Sequence, residues 1–375
     1  MLEKRRIGKL CCLILVLLSI HYLALHAYSG VLKVIGTVTY RWDKLGSSLT
    51  SLKTTVLSQE YFDNFYAFVQ PPANTIEKSA VLIAIRQLHL SELAENFTDF
   101  TKLEEEVQIQ LTRENIRVLP GGYLFQIDLH KKDSAKFNII LIPYRKRQKN
   151  LCVFLLYIYR YLHLKSANYA IIVLEHLGNG AFNRAKLFNA GLTELGILQP
   201  TFYDSNFSGC IIFHDVDKIP ENTETPYHCL GAPLQLFRVA VSLDSLHAPK
   251  GTYMSDVAEY TYYPGFLGGV TALKRREILR VNGYSNIFTG WGGEDDDFRE
   301  RMRLRHIRVM ENPNNLGRYY VLDHDSDQKC NTNRRAYLGT KDVARRMRED
   351  GLRQVQYTLV RHAIRPLYTL YQFML

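Results

Sequence analysis

Short apolar runs alternate with stretches of helical spacing along the chain from Phe137 onward. The pattern predicts strands over 138–142, 169–174 and 209–213, separated by helices over 148–165 and 184–195. Strands that alternate with helices usually pair in parallel and carry the helices on their faces. The alternation therefore predicts an α/β domain with a mostly parallel central sheet. The charge-rich stretch 103–117 also has helical spacing, and we expect it to pack on this domain.

The N-terminal end of the chain has the pattern of a membrane anchor. A cluster of basic residues precedes an apolar run that is about the minimum length for a bilayer span. Because basic flanks stay on the cytoplasmic side, we predict a cytoplasmic tail over 1–9, a signal anchor over 10–28, a stem over 29–100 and a lumenal domain over 101–375. The alternative is a cleaved signal peptide, for which residues 27–29 offer a poor cleavage site.

The formal net charge of +10 raises the question of a nucleic-acid partner. Part of the excess lies in the cytoplasmic flank, and much of the rest lies on Arg-rich helical stretches near the C-terminus, such as 345–348. Such stretches are ordinarily solvated helix faces. We therefore expect no nucleic acid among the partners. A hydrophobic content of 46% also indicates a real core rather than a disordered chain.

Two aspartates follow an apolar run in the middle of the chain. The run Ile211-Ile212-Phe213 leads through His214 into Asp215-Val216-Asp217. In α/β sheets, ligands bind beyond the carboxyl ends of the strands. Carboxylates spaced by one residue suit Mg²⁺ or Mn²⁺ that also binds substrate phosphates. Asp215 and Asp217 are therefore candidate residues for a metal–phosphate site, although the same spacing occurs in many surface turns.

A second acidic cluster follows a glycine-rich turn. Residues 289–293 read Thr-Gly-Trp-Gly-Gly and lead into Glu294, Asp295, Asp296 and Asp297, after which the spacing is helical. Helix N-termini favour acids, so the simplest interpretation is an acidic helix start. A tryptophan between glycines has no local packing partner, however. This feature favours a mobile lid that covers a ligand.

Five segments together resemble the beta-1,4-galactosyltransferase family, which includes related N-acetylgalactosaminyltransferases. In chain order they read IPYRKR (142–147), FNRAKLFNAG (182–191), FHDVD (213–217), GGVTAL (268–273) and GWGGEDDD (290–297). All five occur in the family's order with similar gaps. The similarity extends from about residue 121 to the C-terminus.

The resemblance implies a fold, a reaction and a location. The fold is a single GT-A-like catalytic domain of the α/β class, and the reaction is an inverting, Mn²⁺-dependent transfer of galactose from UDP-galactose. The acceptor is the 4-hydroxyl of a terminal sugar such as N-acetylglucosamine on a glycoprotein or glycolipid, and the protein is a single-pass type II protein of the Golgi membrane. The alternatives are a transferase that uses UDP-N-acetylgalactosamine and a catalytically weak glycan-binding homologue. A phosphoryl-transfer enzyme could use the same acids, but segments 143–147 and 182–186 give it little support.

The resemblance also implies roles for individual residues. Asp295 would be the catalytic base, with its proton affinity raised by neighbouring charges, and Glu294 and Asp296 would orient the acceptor. Asp217 and His324 would bind the metal, and Asp215 would contact the metal or the ribose. The residues expected to bind nucleotide or sugar are Pro143, Arg145, Arg147, Phe182, Arg184, Val216, Phe266, Gly269, Trp291, Gly293 and Tyr337.

Two positions depart from the family's pattern. Three residues before His324 the family usually has a methionine that binds the metal, and this chain has Val321, which cannot bind it. We expect weaker metal binding, a different metal preference or a substitute ligand such as Asp323. Phe266 replaces the tyrosine that favours galactose, so the ring is kept without its hydroxyl. Galactose remains the expected donor.

Cysteines and asparagines give further predicted sites of covalent modification. Cys210 and Cys229 bracket the aspartate turn, and the family has a cystine at equivalent positions, so we expect a disulfide there in an oxidising lumen. Cys152 is expected to be buried in a helix, and Cys330 has no evident partner. Asn96 and Asn206 begin the motifs Asn-Phe-Thr and Asn-Phe-Ser, and are predicted glycosylation sites if this part of the chain is lumenal.

Overall fold

The computed structural model describes residues 100–124, 137–165, 167–198, 209–242, 259–322 and 334–375, all of which belong to one compact unit of the chain. No helix within these ranges is both long and apolar enough to span a membrane. The predicted anchor at residues 10–28 lies outside the described residues, as does nearly all of the predicted stem. The tail, anchor and stem therefore stay predictions.

The described residues form helices and two β-sheets. The helices are α1 (Phe100–Arg113), α2 (Gln148–His163), α3 (Arg184–Glu194), α4 (Arg275–Arg280), α5 (Glu294–Leu304), α6 (Arg334–Tyr337) and α7 (Thr340–Glu349), followed by a 3-10 turn over Leu352–Gln354. The strands are β1 (Val118–Leu119), β2 (Tyr123–Leu124), β3 (Phe137–Tyr144), β4 (Asn168–His176), β5 (Ile211–His214), β6 (Lys218–Pro220), β7 (Leu234–Gln235), β8 (Val239–Ser242), β9 (Glu259–Thr261), β10 (Val270–Leu273), β11 (Met310–Glu311), β12 (Arg318–Val321), β13 (Thr358–Ile364) and β14 (Thr369–Met374).

The centre of the larger sheet is built from the apolar runs that alternate with helices. Strand β3 lies between β4 and β5 and pairs in parallel with both. Ile140 and Ile142 belong to a core cluster that includes α2, whereas Ile139 and Leu141 belong to a second cluster that includes α3. Both faces of β3 are therefore covered, which explains why its sequence is continuously apolar rather than alternating.

The larger sheet is mixed, so the prediction of a mostly parallel sheet is wrong outside its centre. The strand order is β1-β2-β4-β3-β5-β10-β7-β11, and β14 also pairs in parallel with β4. Strand β10 runs antiparallel to β5 and β7, and β2 runs antiparallel to β4. The direction of β10 follows from the long connection that leaves β5 and passes through the second sheet. A four-residue apolar run carries no signal of its direction.

A smaller sheet has the strand order β6-β12-β8-β9. Strand β5 ends at His214 and β6 begins at Lys218, so the aspartate turn 215–217 joins the two sheets. The backbone N–H of Leu322, just after β12, donates to the carbonyl of Asp217 at 2.9 Å. The turn is therefore fixed both by the strands that flank it and by the end of β12.

Several element boundaries differ from the predicted ones. The predicted helix 103–117 is α1, and it ends at Arg113 because Asn115 adopts a left-handed backbone with φ of 60°. Helices α2 and α3 begin at the predicted residues and end slightly earlier. Helix α5 begins at Glu294, so the four consecutive acids occupy its first turn as the sequence indicates.

Candidate active site

The first group of predicted site residues lies where the parallel strands end. Strands β3, β4 and β5 run in the same direction, so the segments that follow them meet at one edge of the sheet. Arg184 begins α3 after β4, and its Nε donates to Oδ1 of Asp215 at 2.7 Å. The backbone N–H of Asp215 donates to the carbonyl of Gly269 at 3.0 Å. The structure thus brings Arg184, Asp215 and Gly269 together.

The second acidic cluster reaches the same place. A Cβ atom at Gly268 would lie 2.6 Å from Oδ2 of Asp295, so the carboxylate packs directly on this glycine. Glu294 Oε1 lies 3.8 Å from Nη1 of Arg184. Gln235 holds the glycine in place, because its Nε2 donates to the Gly268 carbonyl at 2.7 Å. The two acidic segments therefore meet at one junction, and only glycine allows the close approach at position 268.

Asp297 has a different environment from Glu294 and Asp295. Its side chain is fully buried and accepts from Arg301 Nε at 2.6 Å and from Arg346 Nη2 at 2.6 Å. This arrangement pairs one buried carboxylate with two buried guanidinium groups and ties α5 to α7. Asp297 therefore stabilises the helix rather than facing the junction.

Asp296 faces outward on the same turn. Its Oδ1 accepts from the Tyr263 hydroxyl at 2.7 Å and lies 3.6 Å from Nη2 of Arg299. The side chain of Asp296 is partly exposed. Asp296 is therefore a partly exposed carboxylate at the edge of the junction, held in position by Tyr263.

Glu294 and Asp295 have raised proton affinities. Burial raises the pKa of Asp295 to about 6, with the charge of Asp296 adding to the effect and Arg184 opposing it. Burial also raises the pKa of Glu294 to about 8, with the charge of Asp295 adding to it. Both carboxyl groups therefore hold a proton more tightly than an exposed acid does, and the pKa of Glu294 is raised further than that of Asp295. The sequence predicts the direction for Asp295, but burial is a larger cause than the neighbouring charges.

Two buried atoms at the junction lack a hydrogen-bond partner within the described residues. They are Nη1 of Arg184 and Oε2 of Glu294. Buried polar groups in folded proteins are nearly always hydrogen-bonded. A guanidinium N–H and a carboxyl oxygen side by side suit a ligand with both acceptors and donors, such as a sugar carrying phosphate.

Asp217 is the predicted metal ligand that lies within the described residues. It is buried, and its Oδ2 lies 2.7 Å from Nζ of Lys218. Val321 is the register partner of Lys218, so the position that departs from the family's pattern lies beside this pair. A fixed, buried carboxylate oxygen fits a hard divalent cation such as Mn²⁺. Within the described ranges no cluster of three His, Cys, Asp or Glu side chains completes such a site, and His324 lies outside them.

An aromatic segment follows β4 at the same edge. The guanidinium of Arg145 lies 5.2 Å from the ring centre of Phe182, and the His176 ring lies 5.9 Å from it. Arg145 Nη1 also donates to the carbonyl of Gly180 at 2.5 Å. Arg145 therefore positions the Phe182 ring and its loop.

The glycine-rich turn lies against this aromatic segment. The N–H of Gly290 donates to the carbonyl of Phe182 at 2.8 Å. Trp291 is 49% exposed, and the Arg334 guanidinium lies 5.3 Å from its ring centre. Gly293 has a φ of 100°, which glycine adopts readily and other residues do not. An exposed tryptophan on such a turn has the properties expected of a lid.

Phe266 lines the junction from the side of β10. Its ring stacks on Tyr262 with centres 4.1 Å apart and planes 20° apart. A Cβ atom at Gly268 would lie 2.6 Å from Phe266 Cζ, so the tip of the ring lies beside the glycine that contacts Asp295. Burial raises the pKa of Tyr262, and the nearby charges of Asp217, Asp215 and Asp295 raise it further. The Phe266–Tyr262 stack is therefore next to the acids.

The remaining predicted residues contact other parts of the domain. Pro143 pairs with Leu174 at the end of β3, Arg147 precedes α2, and Val216 is buried in the core cluster that includes α2. The Tyr337 ring lies 5.9 Å from Phe288, against which a Cβ atom at Gly293 would also pack. Tyr337 therefore supports the glycine-rich turn and is not seen at the acid junction. The predicted glycosylation sites, Asn96 and Asn206, lie outside the described residues.

A disulfide closes the segment that carries the aspartate turn. It joins Cys210, immediately before β5, to Cys229, with Cα atoms 5.5 Å apart. Strand β5, the turn 215–217 and β6 all lie within the closed loop. Cys152 is free and buried in α2, and Cys330 lies outside the described residues.

Residues that position the acids are not evident from the sequence. Tyr263 holds Asp296 from another segment of the chain, Gln235 fixes Gly268, and Arg334 lies over Trp291. No local pattern connects these residues with their partners. Lys218 is the exception, because a basic residue directly after Asp-x-Asp is a visible signal of a local ion pair.

Comparison with known proteins finds similar sequences and a similar solved structure. Residues 90–230 match the family model described as the N-terminal region of glycosyl transferase group 7, and residues 251–325 match the one described as the N-terminal domain of galactosyltransferase. The chain also resembles the solved structure of a Drosophila beta1,4galactosyltransferase 7 mutant in complex with manganese, UDP-Gal and xylobiose. That match has 23% identity and a TM-score of 0.48, and covers 64% of this chain and 94% of that one.

Two human relatives share a higher sequence identity with the chain than this solved structure does. The chain is 31% identical over 260 residues to human beta-1,4-galactosyltransferase 2, which covers 69% of this chain and 64% of that protein. The chain thus spans a little under two thirds of that relative's length. It is 35% identical over 264 residues to human beta-1,4-galactosyltransferase 4, covering 70% of this chain and 68% of that protein. With this identity over more than two thirds of a relative, the chain belongs to the beta-1,4-galactosyltransferase family.

Proposed function

We propose that this protein is an inverting galactosyltransferase that moves galactose from UDP-galactose to the 4-hydroxyl of a terminal sugar, N-acetylglucosamine being the expected acceptor. The names of the sequence relatives support galactosyl transfer. The observation that carries the proposal is the junction at which Asp295 packs on Gly268 while Glu294 and Asp215 flank Arg184. It places a buried carboxylate with raised proton affinity beside groups suited to a phosphorylated sugar.

Asp295 is the proposed catalytic base. It must take the proton from the acceptor 4-hydroxyl as the oxygen attacks the anomeric carbon of the donor, on the face opposite the leaving diphosphate. A base works best when its pKa lies close to the working pH. The pKa of Asp295, raised to about 6 by burial, leaves it ionised at neutral pH yet more basic than an exposed aspartate.

Glu294 and Asp296 are proposed to orient the sugars. Glu294 keeps its proton near neutral pH, so it can donate a hydrogen bond to a substrate oxygen as well as accept one. The carboxyl group of Asp296 is partly exposed and accepts from the Tyr263 hydroxyl, so it suits a hydroxyl of the acceptor.

A divalent cation, proposed to be Mn²⁺, would be held by Asp217 and His324. Bound there, it would neutralise charge on the diphosphate leaving group. The chain itself supplies Arg184, whose Nη1 has no hydrogen-bond partner within the described residues and is free to bind a phosphate or sugar oxygen. Asp215 holds this guanidinium in place and leaves its other nitrogens available.

The nucleotide and the donor sugar are proposed to lie between two aromatic surfaces. Phe182, positioned by Arg145, offers a flat face for uracil stacking. Trp291 is exposed on a turn that hydrogen-bonds to Phe182, so closing this turn would cover the donor and exclude water. Pro143, Arg147, Val216, Gly269 and Tyr337 are proposed to support these surfaces.

The donor is proposed to be galactose rather than N-acetylgalactosamine. Phe266 is buried against Tyr262, and its ring tip occupies the space beside Gly268. Keeping an aromatic ring here leaves little room for the acetamido group. The proposed location is the Golgi membrane, with residues 10–28 as a type II anchor and the catalytic domain in the lumen, where Asn96 and Asn206 would be accessible to glycosylation.

The test uses the full-length protein in detergent. Transfer onto terminal N-acetylglucosamine would be measured from UDP-galactose and from UDP-N-acetylgalactosamine as Mn²⁺ is titrated. We expect metal-dependent transfer from UDP-galactose, little transfer from the second donor, and loss of transfer in Asp295→Asn. Folded protein that transfers neither sugar would contradict the proposal and favour a glycan-binding role, whereas a preference for the second donor would overturn the assignment of galactose.

A further inference from the structure

Lys218 has an environment that is unusual for a lysine. The residue is 9% exposed, at the start of β6, and its Nζ lies 2.7 Å from Asp217 Oδ2. The same Nζ lies 5.5 Å from the ring centre of Phe237. Lysine is almost never fully buried unless it is paired. The ammonium of Lys218 therefore depends on the carboxylate of Asp217 and on the face of Phe237.

The neighbouring strand reinforces this pairing. Val321 on β12 is the antiparallel register partner of Lys218, so the two side chains lie next to each other on one face of the smaller sheet. The N–H of Leu322 donates to the carbonyl of Asp217 at 2.9 Å, which keeps β12 against the turn. Beside the ion pair, β12 thus offers an apolar side chain with no atom able to bind a cation.

Asp217 is also the carboxylate that the proposed function requires for a divalent cation. A cation on Oδ2 would lie close to the ammonium that already occupies this oxygen, and like charges at such a distance repel strongly in a buried site. Either the ammonium moves away or the cation binds weakly. Burial beside Phe237 and Val321 restricts that movement.

We propose that Lys218 is a built-in competitor for the divalent cation at Asp217. Its ammonium holds the carboxylate when no cation is bound and lowers the affinity of the site for Mn²⁺. The inference rests on the proposed function, because that function gives the reason to expect a cation at Asp217. It makes metal binding by this chain a displacement of one cation by another.

Direct titration of Mn²⁺ by isothermal calorimetry tests the inference without measuring turnover. Lys218→Met removes the charge and keeps the length of the side chain, and Lys218→Arg keeps the charge. We expect Lys218→Met to bind Mn²⁺ more tightly than the unmodified protein by roughly a factor of ten or more. Lys218→Arg should show no gain.

Lys165 provides a matched control. It is a largely buried lysine whose Nζ lies 4.5 Å from the Tyr161 ring centre and donates to the Thr223 carbonyl, away from Asp217. Lys165→Met removes a comparable charge, and it should leave Mn²⁺ affinity unchanged. A gain in this control as large as that in Lys218→Met would overturn the inference, because it would show a general effect of charge.

Loss of Lys218 removes an ion pair from the buried carboxylate of Asp217, so a second neutral variant is needed in case the first does not fold. Lys218→Gln keeps a hydrogen-bond donor near Asp217 and should also gain Mn²⁺ affinity. In both neutral variants Mn²⁺ should raise the melting temperature more than in the unmodified protein, because the cation replaces the lost charge.

The outcomes separate this inference from the proposed function. Neutral variants that bind Mn²⁺ no more tightly than the unmodified protein would overturn the competitor role, as would the absence of Mn²⁺ binding in every variant. Sugar transfer is measured separately on the same proteins. Tighter Mn²⁺ binding without any galactose transfer would support the competitor role and contradict the proposed function.

Discussion

The aspartate turn 215–217 and the first turn of α5 both present acids to one junction, but in opposite electrostatic settings. In the turn, Asp215 pairs with Arg184 and Asp217 pairs with Lys218. In the helix, Asp295 forms no ion pair within the described residues and accepts from the N–H of Asp296 at 2.9 Å. An acid that a basic side chain holds at hydrogen-bond distance is fixed in place, which suits binding. A buried acid without such a pair gains proton affinity and suits proton transfer.

A second comparison, within α5 itself, leads to the same conclusion. Asp297 is the most deeply buried of the four acids, and it lies between Arg301 and Arg346. Four consecutive acids thus include the proposed proton acceptor, Asp295, and an acid that ties two elements together, Asp297. The partners of Asp297 are Arg301, one turn further along the same helix, and Arg346 on α7, whereas Asp295 has no such partner within the described residues.

The largest expected effect comes from removing the base. Asp295→Asn keeps the size of the side chain and abolishes its ability to take a proton. We expect kcat for galactose transfer to fall by about a thousandfold, within the range found for general bases. The thermal midpoint should change little or rise. Glu300→Gln on the same helix is the control, and retention of more than a tenth of the activity by Asp295→Asn would contradict the assignment.

Removing the structural anchor should lower stability rather than disable chemistry. Asp297→Asn leaves two buried guanidinium groups without their anion, which costs about 3–5 kcal/mol in comparable sites. The free energy of unfolding from urea titration is the measurement. Asp342→Asn removes an acid that is exposed on α7 beside Arg345, and should change it by about 1 kcal/mol at most. Equal effects of the two substitutions would show that Asp297 is not the anchor.

The pH profile sharpens the contrast between the paired and unpaired acids. Protonation of Asp295 below its pKa of about 6 removes the base, so kcat/KM should fall by about tenfold per pH unit as the pH drops below this value. Above about 8 the activity should decline again as Glu294 loses its proton. Initial rates from pH 4 to 9, at saturating Mn²⁺, provide the measurement. A flat profile between pH 5 and 7 would contradict the role of Asp295.

The smallest expected effect concerns the rim. Tyr263→Phe removes the hydroxyl that donates to Asp296, a contribution of about 1 kcal/mol. We expect KM for the acceptor to rise roughly fivefold with kcat almost unchanged. Tyr260→Phe, at an exposed tyrosine that contacts Tyr262, is the matched control. A fall in kcat without a change in KM would mean that Tyr263 acts on the base instead.

The sequence predicts the elements of this fold better than their arrangement. Continuous apolar runs mark β3, β4 and β5 because these strands are buried on both faces. The antiparallel direction of β10 has no local signal, since it depends on a connection that passes through the second sheet. The left-handed backbone of Asn115 that ends α1 is likewise invisible in a helical pattern.

For the site, sequence patterns identify the acids but not their partners. Asp215, Asp217 and Asp295 stand in motifs that can be recognised in the sequence. The sequence does not show that the two acidic segments meet in the folded chain. The positions of Gln235, Tyr263 and Arg334 arise from tertiary packing between distant segments. Tyr337 lies against Phe288 and supports the turn, a position that its sequence neighbours do not reveal.

The product of the reaction tests the central claim most directly. The full-length protein would be incubated with UDP-galactose carrying ¹³C in the sugar, Mn²⁺ and an N-acetylglucosamine acceptor, and the products would be identified by NMR. The proposed site predicts a single disaccharide with galactose in a β linkage to the 4-oxygen, formed in step with UDP release. Release of UDP with free galactose, an α linkage, or no reaction by folded protein would contradict the account.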